Sequence, residues 1–389
     1  MDRHSRGQRE FEALMGSPPQ EALADVRLRS PQLYDEIVEG AFGGALADAA
    51  LSRAGREIAT IAILAAAGNS GRLLATHAKA ALHNGVAASE LRALCEQVAV
   101  YAGFPRALNA LAAVDEVLVD ADLPRPPALH RVRLADHETV VTQSGEAGPP
   151  VVLLHALALD WRMWEPVMAP LSVGRRVFAY DLRSHGSAAG SPTPFTMADT
   201  AADLVGVLDA LALDRAHIVG LSYGGAIAQS AAISYPERFA SVALLATTDY
   251  PFESFESRAR AGETDGMKAQ IVPSLTRWFT ADALALDGWG VRYARECIRR
   301  SNAGDWAASW RAFKGLDVQD RLDTLKLPTL VLAGDTDAST TPEIMAGIAR
   351  RIPGAAYREL RETPHMQTLE KPELVADALG AFITTEPQR

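Results

Sequence analysis

The chain has 389 residues, 48% of them hydrophobic and 22% charged, with a formal net charge of −10. That length exceeds what one hydrophobic core usually serves and predicts two domains. The acidic balance argues against nucleic acid and against anionic membranes as partners. Cys95 and Cys297 stand far apart and make neither a disulfide framework nor a metal-ligand cluster, so a reducing, cytoplasmic setting is expected, with no metal and no other cofactor. The polar N-terminus leads into no apolar core of a signal peptide. The longest apolar run, at 58–67, is too short to span a bilayer.

Residues 1 to about 120 show no strand pattern. Ala and Leu recur at helical spacing, punctuated by Pro18-Pro19, Gly43-Gly44, Gly68, Gly85 and Gly103. Helices are predicted near 19–29, 31–40, 52–67, 70–84, 88–102 and 105–119, with Ser89 capping a helix that begins at Glu90. Residues 1–121 therefore read as an all-α unit. Its apolar pattern does not account for Arg53, Arg56, Glu57, His77, His83, Asn84, Glu96 and Tyr101. A single helical histidine such as His77 is more often a structural residue than a catalyst.

A linker is expected at 122–128, where Pro124, Pro126 and Pro127 stop a helix and favour an extended connection. From 129 to 389 short apolar strands alternate with helices. Strands are predicted at 130–134, 139–144, 151–155, 176–180, 216–220, 242–246, 329–333 and 356–360. The alternation points to a mostly parallel sheet covered on both faces. Residues from about 251 to 325 interrupt it with a helical insertion that carries Trp278, Trp289, Trp306 and Trp310, which reads as a lid over a pocket.

One strand, at 216–220, enters Gly220-Leu221-Ser222-Tyr223-Gly224-Gly225 and is followed by an Ala-rich helical pattern. A Gly-x-Ser-x-Gly between strand and helix is the setting of a nucleophilic serine on a tight turn. A serine hydroxyl also needs a base, and the base needs an orienting carboxylate. His365 is the only histidine after Ser222 and follows a predicted strand end. Asp335 and Asp337 follow another, with Asp337 as the acid and Asp335 as the fallback. The oxyanion requires backbone donors: Tyr223, next to the serine, and Leu157, in the loop after the 151–155 strand. His155 and His185 are read as structural.

These stretches resemble the α/β-hydrolases and, within them, the 3-oxoadipate enol-lactonases. The resemblance rests on Asp160-x-x-Met163-Trp164, Asp181-x-Arg183-x-His185-Gly186-Ser187, the Ser222 turn, Arg277-Trp278-Phe279 in the lid, and Gly334-x-x-Asp337 with His365. It favours Asp337 as the acid and implies a lactone substrate, with Trp278 among the residues that bind it. Ala156 and Ser184 depart from the glycines usual in that family, and Phe255, before Arg258, stands where the lactonases carry a lid tryptophan.

The helical half resembles the carboxymuconolactone decarboxylase family through Leu51-x-x-x-x-Arg56-Glu57, His77-x-x-Ala80-Ala81-Leu82-x-Asn84-Gly85 and Tyr101-Ala102-Gly103-Phe104-Pro105. The peroxidase-like members of that family carry a CxxC before the histidine; Ser70 and Leu73 stand there here, so disulfide redox chemistry is not expected. The resemblance implies cofactor-free decarboxylation, with His77 as proton donor, Arg53 or Arg56 holding a substrate carboxylate, and Glu57 in the same site either orienting His77 or pairing with an arginine; the alternative is that these charges belong to a subunit interface. It also implies a homo-oligomer assembled through the helical domain. Together the two halves suggest consecutive steps of protocatechuate (β-ketoadipate) breakdown. The alternatives are an esterase or lactonase of other specificity, its helical half an oligomerisation module, and a binding protein on a hydrolase scaffold.

Overall fold

The computed structural model describes residues 2–68, 71–120 and 128–384. The chain forms two compact units, Met1–Pro126 and Pro127–Arg389. Ser70 and residues 122–127 of the expected linker lie outside the described residues; Ala128 already belongs to the first strand.

The regular elements among the first unit's described residues are all helical: α1 (Arg3–Met15), α2 (Pro19–Ala22), α3 (Ala24–Arg29), α4 (Pro31–Asp35), a π-helical segment Glu36–Phe42, a 3-10 turn Ala45–Ala47, α5 (Arg53–Ala66), α6 (Arg72–His83), α7 (Ala88–Ala102) and α8 (Phe104–Asp120). Helix α1 was not anticipated, because its composition is polar. It nonetheless buries Gly7, Phe11 and Leu14, a spacing of four and three that places them on one face. The segment expected to be one helix at 19–29 breaks at Leu23, and that at 31–40 passes into the π turn, closed by Gly43 N–H to the Val38 carbonyl at 2.8 Å. Ser89 is not a cap. Helix α7 begins at Ala88, two residues before Glu90, and its entry is held by the Glu90 carboxylate, which accepts from Ala87 N–H at 2.8 Å. Helices α5 to α8 close around Ile61, Leu74, Ala78, Leu91, Ala110 and Val114.

The second unit carries an eight-stranded sheet in the order β1-β2-β4-β3-β5-β6-β7-β8. In chain order it runs β1 (Ala128–Arg133), β2 (Glu138–Ser144), β3 (Pro150–Leu154), α9 (Glu165–Leu171), β4 (Arg176–Tyr180), α10 (Met197–Ala210), β5 (Ala216–Leu221), α11 (Tyr223–Ser234) and β6 (Phe239–Leu245). Five helices of the insertion follow: α12 (Ser254–Asp265), α13 (Met267–Trp278), α14 (Ala281–Leu286), α15 (Trp289–Arg300) and α16 (Ala303–Lys314). The chain returns through a turn of 3-10 helix, Gln319–Thr324, into β7 (Thr329–Gly334), α17 (Pro342–Arg351), β8 (Ala356–Leu360), α18 (Gln367–Glu370) and α19 (Pro372–Thr384).

Strand β2 pairs antiparallel with β1 and β4, and all other pairs are parallel. Central strands β5 and β7 are buried along their whole length, as expected where helices cover both faces. The parallel strands all point their C-terminal ends to one edge. The loops there, after β3, β5, β7 and β8, are the ones that carry Leu157, Ser222, Asp337 and His365. Among the described residues no helix is long and apolar enough to cross a membrane.

Candidate functional site

The turn from β5 into α11 lifts Ser222 out of the sheet edge. Its backbone is held at φ 56°, ψ −112°, a left-handed conformation that costs a non-glycine residue about 1–3 kcal/mol and persists only when its surroundings fix it. Those surroundings are visible. Ser222 N–H donates to the Leu245 carbonyl at 2.9 Å, and its own carbonyl accepts from Thr247 Oγ1 at 2.7 Å. Glycine is required on both sides by close approach: a Cβ at Gly220 would sit 2.2 Å from the Gly224 carbonyl oxygen, and one at Gly224 would sit 2.3 Å from the Leu154 carbonyl oxygen.

His365 Nε2 lies 3.0 Å from Ser222 Oγ, and its Nδ1 lies 2.8 Å from Asp337 Oδ2. With Nδ1–H donated to the carboxylate, Nε2 is left to accept from the serine hydroxyl. Asp337 is buried. Its Oδ1 accepts from the backbone N–H of Ser339 and Thr340 at 2.7 and 3.0 Å, and its Oδ2 accepts from Thr340 Oγ1 at 2.7 Å. Burial alone would raise its pKa, but His365 and these donors outweigh it, and the carboxyl is held below its ordinary value. Asp335, the fallback, is exposed and accepts from Thr363 N–H; it makes no contact with His365.

The two expected oxyanion donors stand on the loops that follow β3 and β5. Tyr223 opens α11, where a backbone N–H has no intrahelical acceptor, and Leu157 lines the cavity beside Ser222. Ala156 N–H is occupied, donating to Met163 Sδ. His155 and His185 are structural, as read from the sequence. His155 Nδ1–H donates to the Ala156 carbonyl while Nε2 accepts from Leu182 N–H at 2.9 Å. Burial lowers the pKa of His155 to about 4, and burial with the neighbouring His155 does the same to His185.

The cavity encloses about 410 Å³, its open mouth included. Lid residues Phe252, Phe255, Trp278, Trp310 and Phe313 wall it, and Trp278 is fixed there through its carbonyl, which accepts from Met366 N–H next to His365. Trp306 is buried in the lid, its Nε1–H donated to the Arg258 carbonyl, and Trp289 is half exposed, stacked on Tyr293. Two of the four lid tryptophans thus face the cavity.

Two functional candidates escaped the sequence reading. Thr340 was overlooked, although an Asp followed by Ser and Thr two and three residues on is the pattern of a side-chain-closed turn. Arg258 lines the cavity with its guanidinium 4.9 Å from the Trp310 ring and 5.8 Å from that of Phe255. Among the described residues it has no carboxylate partner. Burial, and the charge of Arg277, lower its pKa to about 10. Helical spacing carried the signal: Arg258 shares a face with Phe255, and Arg260 does not.

In the helical unit His77 Nδ1 lies 2.8 Å from Glu57 Oε2, with Glu57 fully buried beneath it. The other polar residues go elsewhere. Arg53 pairs with Glu10 at 3.1 Å, and Arg56 donates to the carbonyls of Ala45 and Asp48. Asn84 ties α6 to the Leu14 carbonyl, and Glu96 and Tyr101 are exposed. Cys95 and Cys297 are free and buried, with burial pushing their thiols up to about 11 and about 12.

Residues 149–372 match the model of the alpha/beta hydrolase fold. The chain belongs to the alpha/beta hydrolase family. Residues 31–116 match the carboxymuconolactone decarboxylase family. The hydrolase is 26% identical over 261 residues to 3-oxoadipate enol-lactonase 1 of Acinetobacter baylyi, which covers 66% of this chain and 97% of the relative. The crystal structure of the enol-lactonase from Burkholderia xenovorans aligns with a TM-score of 0.64 at 30% identity, over 66% of this chain and 100% of that one. A thermophilic esterase from Thermogutta terrifontis, malate bound, aligns at 0.60 and 27% identity, over 66% and 98%.

Proposed function

We propose that this hydrolase opens a small carboxylated lactone by serine catalysis, and that its helical unit makes that lactone by decarboxylation: a 4-carboxymuconolactone decarboxylase and 3-oxoadipate enol-lactone hydrolase on one chain. The observation that carries the hydrolytic half is the Ser222–His365–Asp337 chain of hydrogen bonds at 3.0 and 2.8 Å beneath a lid. Ser222 Oγ attacks the lactone carbonyl as His365 Nε2 takes its proton. The oxyanion is received by the N–H groups of Leu157 and Tyr223. Collapse breaks the ring ester bond, and His365 returns the proton to the departing enol oxygen. Water, activated by the same imidazole, then releases the acid from Ser222. Asp337 keeps Nδ1 protonated and stabilises the imidazolium. Arg258, a cation without a carboxylate partner among the described residues, in an aromatic-walled cavity, supports a substrate that brings its own carboxylate.

The decarboxylation half rests on the buried Glu57–His77 pair. Loss of CO2 leaves an electron pair delocalised into the unsaturated lactone, and a proton must reach carbon; His77, oriented by Glu57, supplies it. Arg53 and Arg56, each engaged with neighbouring residues, serve better as structural ties than as carboxylate holders. A cytoplasmic setting suits the free cysteines.

A second reading, an esterase or lactonase of other specificity with a helical oligomerisation module, is favoured by one observation. The helical unit exposes Ile63, Val100, Tyr101, Phe104 and Leu108, each at 64% or more, and apolar exposure of this kind marks an association surface. Homo-oligomerisation through that surface is compatible with either reading. Ser222→Ala and His77→Ala, each assayed on 4-carboxymuconolactone with CO2 and product identified, separate the two. The bifunctional reading requires each substitution to abolish its own step; an active hydrolase that never releases CO2 supports the module.

A further inference from the structure

The oxyanion loop is anchored at one end by the core and at the other by the lid. Its centre is a tight turn: Leu159 N–H donates to the Ala156 carbonyl at 3.2 Å, with Ala158 at φ 68°. Such a closed turn has little freedom of its own, so the direction of the Leu157 N–H follows its two ends. The first end is His155, locked between the Ala156 carbonyl and Leu182 N–H inside the core. The second end is Asp160, held from its own loop by Arg162, whose backbone N–H and Nε each donate to Oδ1 at 3.0 Å, and from the lid by helix α15. Tyr293 Oη accepts from Asp160 N–H at 3.1 Å and donates to Asp160 Oδ1 at 2.9 Å. Cys297, one turn further along the same helix, directs its thiol at Asp160 Oδ2 at 3.6 Å. Arg162 closes the other side of the carboxylate, 2.6 Å from Oδ2, and lies over the Tyr293 ring at 5.4 Å. Trp289 stacks on that ring, with centroids 5.1 Å apart and planes 5° off parallel.

We propose that Tyr293 is a positioning residue of the hydrolase site, through which lid helix α15 holds the oxyanion turn at 156–159 in register with Ser222. The inference rests on the serine-hydrolase reading above. In this arrangement the lid does more than wall the cavity. A lid that shifts on α15 carries Asp160 with it and turns the Leu157 donor away from the oxyanion. The donor is therefore in place only when the lid is seated. Tyr293 never touches the substrate: its hydroxyl is engaged with Asp160, and it does not line the cavity that holds Ser222.

The test is Tyr293→Phe in the full chain, which removes one oxygen and keeps the ring stack. Hydrolysis of an activated ester is measured alongside inhibition by an alkylboronic acid, whose adduct with Ser222 places an oxygen where the oxyanion forms, and by adipate, which makes no such adduct. Deleting an oxyanion donor outright costs on the order of 100- to 1,000-fold in kcat, so displacing one is expected to cost ~10- to 100-fold. The variant should lose kcat with KM nearly unchanged, lose boronate affinity in the same ratio, and keep its adipate affinity. Unchanged kcat and boronate affinity, or equal weakening of boronate and adipate, would overturn the proposal. If Tyr293→Phe does not fold, Trp289→Ala carries the test, because it removes only the stacked ring from the exposed side. A kcat loss of ~3-fold at constant KM is expected, and none would overturn it. Ser222→Ala is run in parallel. Should it hydrolyse the ester as fast as the unsubstituted protein, the serine-hydrolase reading itself fails, a result distinct from full activity in Tyr293→Phe.

Discussion

Replacing Arg258 by Met separates recognition of the substrate from its chemistry. The guanidinium stands over Trp310 and Phe255 at the cavity wall, with no carboxylate opposite it among the described residues. Burial beside Arg277 already lowers its pKa to about 10, so the free protein carries a cation that its surroundings solvate poorly. A substrate carboxylate would supply the missing partner. A hydrogen bond to a charged group contributes about 1.5–3 kcal/mol, which corresponds to a loss of about 10- to 150-fold in kcat/KM for a carboxylated lactone. The loss should fall on KM, because the carboxylate is held equally in the ground and transition states. The assay compares that lactone with its methyl ester: Arg258→Met should discriminate against the acid and leave the ester unchanged. Thermal stability without ligand should stay level or rise, since an unpaired, partly buried charge has been removed. The dicarboxylate product should raise the Tm of the unsubstituted protein but not that of the variant. Equal loss on acid and ester would refute the reasoning, and so would a Tm falling by several degrees, which would make Arg258 a structural residue.

Thr340→Val keeps the shape of the side chain but removes the hydroxyl that holds Asp337 Oδ2. We expect kcat to fall about 10-fold with KM unchanged, and Thr340→Ser to restore it; a Val variant as fast as the parent would show that the two backbone N–H groups suffice. Stability should also fall on acidification. His155, His185 and His217 are buried, and burial lowers each to about 4, so between pH 6.5 and about 4 the unfolded chain binds protons that the folded chain does not. Unfolding free energy therefore rises with pH across that window, by up to about 1.4 kcal/mol per pH unit for each histidine. Asp181 and Asp249, raised by burial, act in the opposite sense and soften the slope. Calorimetry from pH 7 to 5 checks this, and a flat Tm would contradict it.

The five central strands, β3 to β7, were legible as short apolar runs, and the run that ends at Leu221 is buried throughout; the outer strands β1 and β8 are mostly polar and exposed. Ser222, Asp337 and His365 were legible because the Gly-x-Ser-x-Gly turn marks the serine, and an acid and a histidine follow it at strand ends in the order that α/β-hydrolases use. What stayed hidden depended on contacts between segments distant in sequence. Helix α1 buries only three residues of a polar stretch, too few for composition to betray it. The polar residues of the helical half looked like one group in sequence, yet among the described residues only Glu57 and His77 pair, because α5 turns Arg53 and Arg56 toward α1 and the 45–48 turn. Tyr293 and Asp160 are separated by 133 residues, and no local pattern marks either as the other's partner.

The most direct test of the whole account is product identification from 4-carboxymuconolactone with the full chain and with Ser222→Ala. The account predicts CO2 and 3-oxoadipate in equal amounts from the unsubstituted protein, and CO2 with accumulated enol-lactone from Ser222→Ala. Intact 4-carboxymuconolactone and no CO2 in both samples would contradict it.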